Sequence, residues 1–224
     1  MSIPKRTVLI ATLILAIILP AAAQTADQQA AIDNLTKSIQ ANPKNYEAYF
    51  DRSAAYLRHR KFELAIADVT KVIELLPDPD QYKLSKMFGL RAAMKLKWGK
   101  LASALADVDK ALSYQRLAEV VAVRLSILLD MGVEPSAKEL QEGGGESEDP
   151  RVLLRSGDSF ASERKFVGAM ARYDDYLEFG GDNAVYQMRR KAVFCKMDDR
   201  DAATRAHNLA NPGKKLPAGA DPCK

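Results

Sequence analysis

One spacing dominates this chain of 224 residues. The stretches "RKFELAIADV" (60–69), "GKLASALADV" (99–108) and "RKFVGAMARY" (164–173) align so that Ala65, Ala104 and Ala169 share a column, with Phe62, Leu101 and Phe166 three residues before them. The register extends further: Pro43 and Pro77 are 34 residues apart, as are Ala31 and Ala65, Ile32 and Ile66, Ile39 and Ile73, Ala169 and Ala203, and Phe160 and Phe194. Within these stretches apolar residues return every three or four positions, the period of a helix that buries one face. A unit of that length holds two helices and a turn. Neither helix can cover its own apolar stripe, so repetition lets each unit cover the next. The alanines at 65, 104, 169 and 203 predict a close approach of the second helix to the first, with Phe62 or Phe166 closing the gap between them.

This pattern resembles the tetratricopeptide repeat, a 34-residue helix-turn-helix unit. Tyr46 to Pro77 is the best copy: Tyr49 stands at the family's Trp position, Tyr56 at the first-helix aromatic, Phe62 at the turn aromatic, Ala65 at the second-helix alanine, and Pro77 at the closing proline. A fourth copy, Pro150 to about Gly181, matches with Leu153, Gly157, Phe160, Phe166, Ala169 and Tyr173. The resemblance implies an all-α fold, a right-handed α-solenoid of stacked hairpins.

The expected organisation is a half-repeat helix in 24–44, three copies over 45–141, a glycine-rich acidic break at 142–149, two copies over 150–210, and a tail over 211–224. The join after the first full copy carries extra residues, "DPDQY" (78–82), which stretch the spacing to 39. The third copy is degenerate: its second helix runs into "EGGGESEDP" (142–150). Three glycines stop a helix and Asp149-Pro150 restarts one, with Asp as cap and Pro in the first turn. That stretch reads either as a hinge or as a packed, irregular turn. The last copy carries polar residues such as Arg205 and Asn208 where packing faces would be, as a terminal cap does.

Residues 1–23 read as an export signal: Lys5 and Arg6, an apolar run over 7–20, then Ala21 and Ala23 in an A-x-A pattern. Cleavage after Ala23 and a periplasmic or secreted location are expected; membrane contact is expected only if this segment is retained. The whole chain carries 33 Lys+Arg against 29 Asp+Glu, a net charge of +4; without Lys5 and Arg6 the balance is +2. Such a surface gives no electrostatic footprint for nucleic acid and no polybasic run for a membrane. In an oxidising compartment Cys195 and Cys223, 28 residues apart, read first as an intramolecular staple for the Pro/Gly-rich tail, with free thiols or an intermolecular bridge as alternatives.

No constellation for chemistry assembles. His59 and His207 lie in different copies, no nucleotide-binding glycine loop or nucleophile elbow occurs, and Asp198, Asp199 and Asp201 lack calcium-loop spacing. The reading is therefore a non-enzyme with no cofactor, no metal and no small-molecule substrate. What remains is a surface. The resemblance implies that successive first helices line a concave groove. The corresponding positions are Glu47, Phe50, Ala54, Leu57 and Arg58; Lys86, Gly89, Ala93, Leu96 and Lys97; Glu119, Ala122, Ser126, Leu129 and Asp130; and Arg151, Leu154, Asp158, Ala161 and Ser162. Some tetratricopeptide proteins clamp a peptide's C-terminal carboxylate there, but Ala54 and Phe50 occupy the clamp's asparagine and lysine positions. An amphipathic helix or extended apolar segment of another protein in the cell envelope is the expected ligand. Self-association through the end of the stack or Cys223 is the alternative.

Overall fold

A computed structural model of the protein describes residues 29–77 and 79–224. The export segment expected over 1–23 lies outside the described residues. Helix α1 occupies 29–41. There follow α2 (Tyr46–Arg58), α3 (Phe62–Leu75), α4 (Gln81–Lys97), α5 (Leu101–Tyr114), α6 (Ala118–Asp130), α7 (Ala137–Gly143), a 3-10 turn (Gly144–Glu146), α8 (Pro150–Ser162), α9 (Phe166–Glu178), α10 (Asn183–Lys196) and α11 (Arg200–Ala210). No strand occurs among the described residues, and no helix there is long and apolar enough to cross a membrane.

The helix starts follow from local chemistry. Asn45, Asp80, Asp182 and Asp199 each accept a hydrogen bond from a backbone N–H of the first turn they precede, meeting a donor the helix itself cannot satisfy. Asp149 does the same for Arg151, with Pro150 in the first turn. Ser136 and Glu139 form a reciprocal capping box at α7.

Two compact units divide after Asp78, at the join where the copy spacing lengthens and inside the span 45–141. In the first unit α2 packs on α3. In the second, consecutive helices pack pairwise from α4 to α11. The four register alanines, Ala65, Ala104, Ala169 and Ala203, are all 0% exposed, as a close helix-helix joint requires. In the second unit Ala104 sits in a cluster with Ala92, Val108, Val120 and Ile127 and Ala169 in one with Leu153, Tyr173, Tyr176 and Val193, while Val121, Leu125, Leu140 and Val152 form a third.

The glycine-rich stretch is packed. Gly143 ends α7 and Gly144 opens the 3-10 turn, and both are buried. A Cβ built on Gly143 would lie 2.6 Å from Val121 Cγ1 and 2.8 Å from the backbone nitrogen of Ala122, so the missing side chain is what lets α7 abut α6.

Candidate functional site: a cavity on the first-helix face

The expected groove positions fall into two sets. In the first unit, Glu47 and Arg58 are exposed, Phe50 is 40% exposed, and Ala54 and Leu57 are half-buried on α2. In the second, Lys86, Lys97, Glu119, Asp130, Arg151 and Ser162 are exposed, while Ala93, Leu96, Ser126, Leu129, Leu154 and Asp158 are half-buried. Gly89, Ala122 and Ala161 are buried, and Gly89 faces Val120 so closely that a Cβ would lie 2.9 Å from it. These three belong to packing joints rather than to an open face. Leu129 and Leu96 also lean on core clusters with part of their surface.

On α8 three expected positions come together. Leu154, Asp158 and Ser162 line an open cavity of about 580 Å³, joined by Arg155 and Ser159 of the same helix, Glu134, Pro135, Ala137 and Leu140 from the α6–α7 connection and α7, and Arg189 from α10. Its charges are paired across elements. Arg155 Nε lies 3.1 Å from Glu134 Oε1, and Arg189 Nε lies 2.9 Å from Asp158 Oδ1. The same Asp158 oxygen accepts a 2.8 Å hydrogen bond from the hydroxyl of Tyr173. Burial, and then this bond, push the Tyr173 phenol well above its ordinary value, so it acts as a fixed donor. Nearby, Arg151 reaches Asp130 at 2.8 Å and its own helix cap Asp149 at 2.7 Å. Two positions expected in the groove are thus bonded to each other.

The cavity is amphipathic. Leu140, Leu154 and Pro135 offer carbon, and two arginine–carboxylate pairs border them. Sequence reasoning missed Arg155, Arg189 and Glu134. The two arginines are 34 residues apart, a recurrence legible in principle; Glu134 sits in a connection that the repeat pattern does not describe.

No family profile matches the chain. Serine/threonine-protein phosphatase 5 of Rattus norvegicus is 28% identical over 57% of this chain and 29% of its own length. DnaJ homolog subfamily C member 3 of Bos taurus is 37% identical over 41% of this chain and 17% of its own length. The chain therefore spans less than a third of either relative. Among solved structures, PilF of Pseudomonas aeruginosa superposes with a TM-score of 0.52 at 18% identity, over 87% of this chain and 89% of that one. The C-terminal part of a TPR repeat-containing protein of Cytophaga hutchinsonii gives 0.53 at 15% identity, over 84% of this chain and 74% of that one. The fold is tetratricopeptide-like. YrrB, a TPR protein described as having an unusual peptide-binding site, has the same fold, with a TM-score of 0.51 at 15% identity over 80% of this chain and 93% of its own.

Proposed function

We propose that this tetratricopeptide-like chain is an exported protein-interaction scaffold that takes a peptide or helix of an envelope partner on its first-helix face. The observation that carries the reading is the cavity at α8. It combines an apolar floor with a border of paired charges, the anatomy of a protein–protein anchor site rather than of a reaction centre. An apolar side chain seated on Leu154 and Leu140 leaves water, while Arg155 and Arg189, already held by carboxylates, fix the register of polar groups at the edge. The peptide-binding site described for YrrB, a protein of the same fold, is consistent with this use. Export and an envelope partner rest on the signal pattern over 1–23 and on the paired cysteines.

The test is site-specific photo-crosslinking in intact cells. A photoreactive amino acid at Ser162, on the cavity edge, is expected to capture a discrete partner. The same group at Val167 on α9, 88% exposed and outside the cavity, is expected to capture none. Equal capture from both positions, or capture from Val167 alone, overturns the proposal.

A further inference from the structure

Four of the five full copies carry arginine at the same place in their first helix: Arg52, Arg91, Arg124 and Arg190. Arg52 shows what that residue is built to do. Its Nη1 donates to Thr36 on the preceding helix at 3.1 Å, and its Nε and Nη2 grip both oxygens of Asp68 on the following helix at 2.8 and 2.7 Å. Arg91 grips Asp107 in the same two-point manner, at 2.7 and 2.8 Å. In both copies the acid lies 16 residues after the arginine. Arg124, whose equivalent position is Leu140, instead pairs with Asp109 and Glu139.

In the last copy that position is Ala206. Arg190 reaches the preceding helix through a residue of its own helix: its Nη1 donates to the hydroxyl of Tyr186 at 2.9 Å, which in turn donates to Asp174 on α9 at 2.7 Å. Its Nε is buried and finds no hydrogen-bond partner among the described residues, and neither does the amide oxygen of Gln187. Gln187 itself is 7% exposed. Both residues border a notch of about 160 Å³ between α10 and α11, with Phe194, Arg205, Ala206 and Leu209. No carboxylate lines it, and two arginines do. The guanidinium is already oriented, stacked 5.1 Å from the Tyr186 ring centroid and 5.5 Å from that of Phe194, as Arg52 is stacked between Tyr49 and Tyr56.

A buried donor without a partner is costly, and a guanidinium edge matches a carboxylate in two parallel bonds. We propose that this notch at the end of the stack is a carboxylate-binding site, in which an acid from outside the chain takes the place that Asp68 and Asp107 fill for Arg52 and Arg91. The ligand's two oxygens face the Nε edge of Arg190, Arg205 adds charge at the rim, and the Gln187 amide, by a half-turn, presents its N–H to the same group. The site shares no lining residue with the cavity at α8 and does not depend on that cavity's role.

The experiment uses the full chain, labelled with nitrogen-15, and follows the Arg190 Nε–Hε signal, assigned by its loss in Arg190→Lys. Sodium acetate is titrated against sodium chloride at equal ionic strength. A second arm adds an end-blocked helical peptide bearing one glutamate, with its glutamine counterpart as control. A saturable shift with acetate, absent with chloride, is expected. Tighter binding of the glutamate peptide than of acetate identifies a polypeptide side chain as the source; acetate binding without peptide binding identifies a small free acid. Ala206→Asp supplies the acid within the chain, so its signal is expected to start at the shifted position and its acetate affinity to fall by about tenfold or more. Ala206→Asn, similar in size and uncharged, is expected not to start at the shifted position. If Ala206→Asp does not fold, the backbone amides of Phe194 and Ala206 report acetate in the wild type, and Arg190→Gln is expected to abolish their response. No saturable shift in the wild type, or an undiminished one in Ala206→Asp or Arg190→Gln, overturns the proposal.

Discussion

Asp107 sits between two cations that together decide its charge. Its residue is 6% exposed, and burial by itself raises a carboxyl's pKa. The hydrogen bonds and charges of Arg91 and Lys95, the latter 2.7 Å away, more than offset this and hold Asp107 below its ordinary value. A depressed pKa in the folded state means that the stabilisation is present above the unfolded value of about 3.9 and is lost as pH falls through the folded one. Asp107→Asn, which leaves Arg91 and Lys95 without their acid, is expected to lose about 3 kcal/mol at neutral pH. The gap to wild type should then narrow in urea-unfolding curves as pH falls below the unfolded value and through the lower, folded one. A gap independent of pH would show that the loss is one of shape and not of charge. The Arg-to-Asp spacing of 16, seen at 52 and 68 and at 91 and 107, was open to reading in the sequence. It escaped because helix periodicity links neighbours three or four apart, whereas this pair joins two helices across a turn. For the same reason Leu154, Asp158 and Ser162 could be placed from their register on one helix, while Arg189 and Glu134 reach the cavity only through tertiary packing.

At the scale of the element, every hairpin turn uses one left-handed residue at the same place in its copy. These are Arg60 (φ 55°), Gly99 (77°), Gly132 (73°), Arg164 (60°) and Asp198 (60°). Only two of the five are glycine, the residue that enters this region without a steric penalty. A side chain built at Gly132 meets nothing within 4 Å, so Gly132→Ala isolates the backbone term, and a loss of about 1 kcal/mol is expected by chemical denaturation. Arg164→Gly is expected to gain up to about 1 kcal/mol, the relieved strain exceeding the added freedom of the unfolded chain. Gly143 makes the contrasting case, because there space is the constraint. Gly143→Ala drives a methyl toward the backbone of Ala122, which cannot swing aside, and a loss of about 1–3 kcal/mol is expected. The hairpins themselves were legible, since alanine, aromatic and helix cap recur with a fixed period. The reason for three adjacent glycines was not, because close approach to another helix leaves no periodic trace.

For the whole molecule the deciding feature is the tail. Cys195 at the end of α10 and Cys223 are joined by a disulfide, and Arg200 Nη1 lies 3.1 Å from Asp221 Oδ1, while the backbone N–H of Leu216 donates to Asn208. The covalent link adds to these polar contacts a tie between the tail and α10. On the chain-entropy view, closing a loop of 28 residues adds about 3–4 kcal/mol. Cys223→Ala is thus expected to lower the unfolding midpoint and to open 211–224 to limited proteolysis, while α4 to α9, which pack without the tail, keep their helical signal. The same bond reports the compartment. A disulfide on an accessible segment persists in an oxidising space and is reduced in the cytosol. Cells quenched with acid and treated with a thiol-reactive mass tag are expected to yield chains that take up no tag until reduced. If the tag enters before reduction, the chain resides in a reducing compartment, and the search for its partner moves from the envelope to the cytosol.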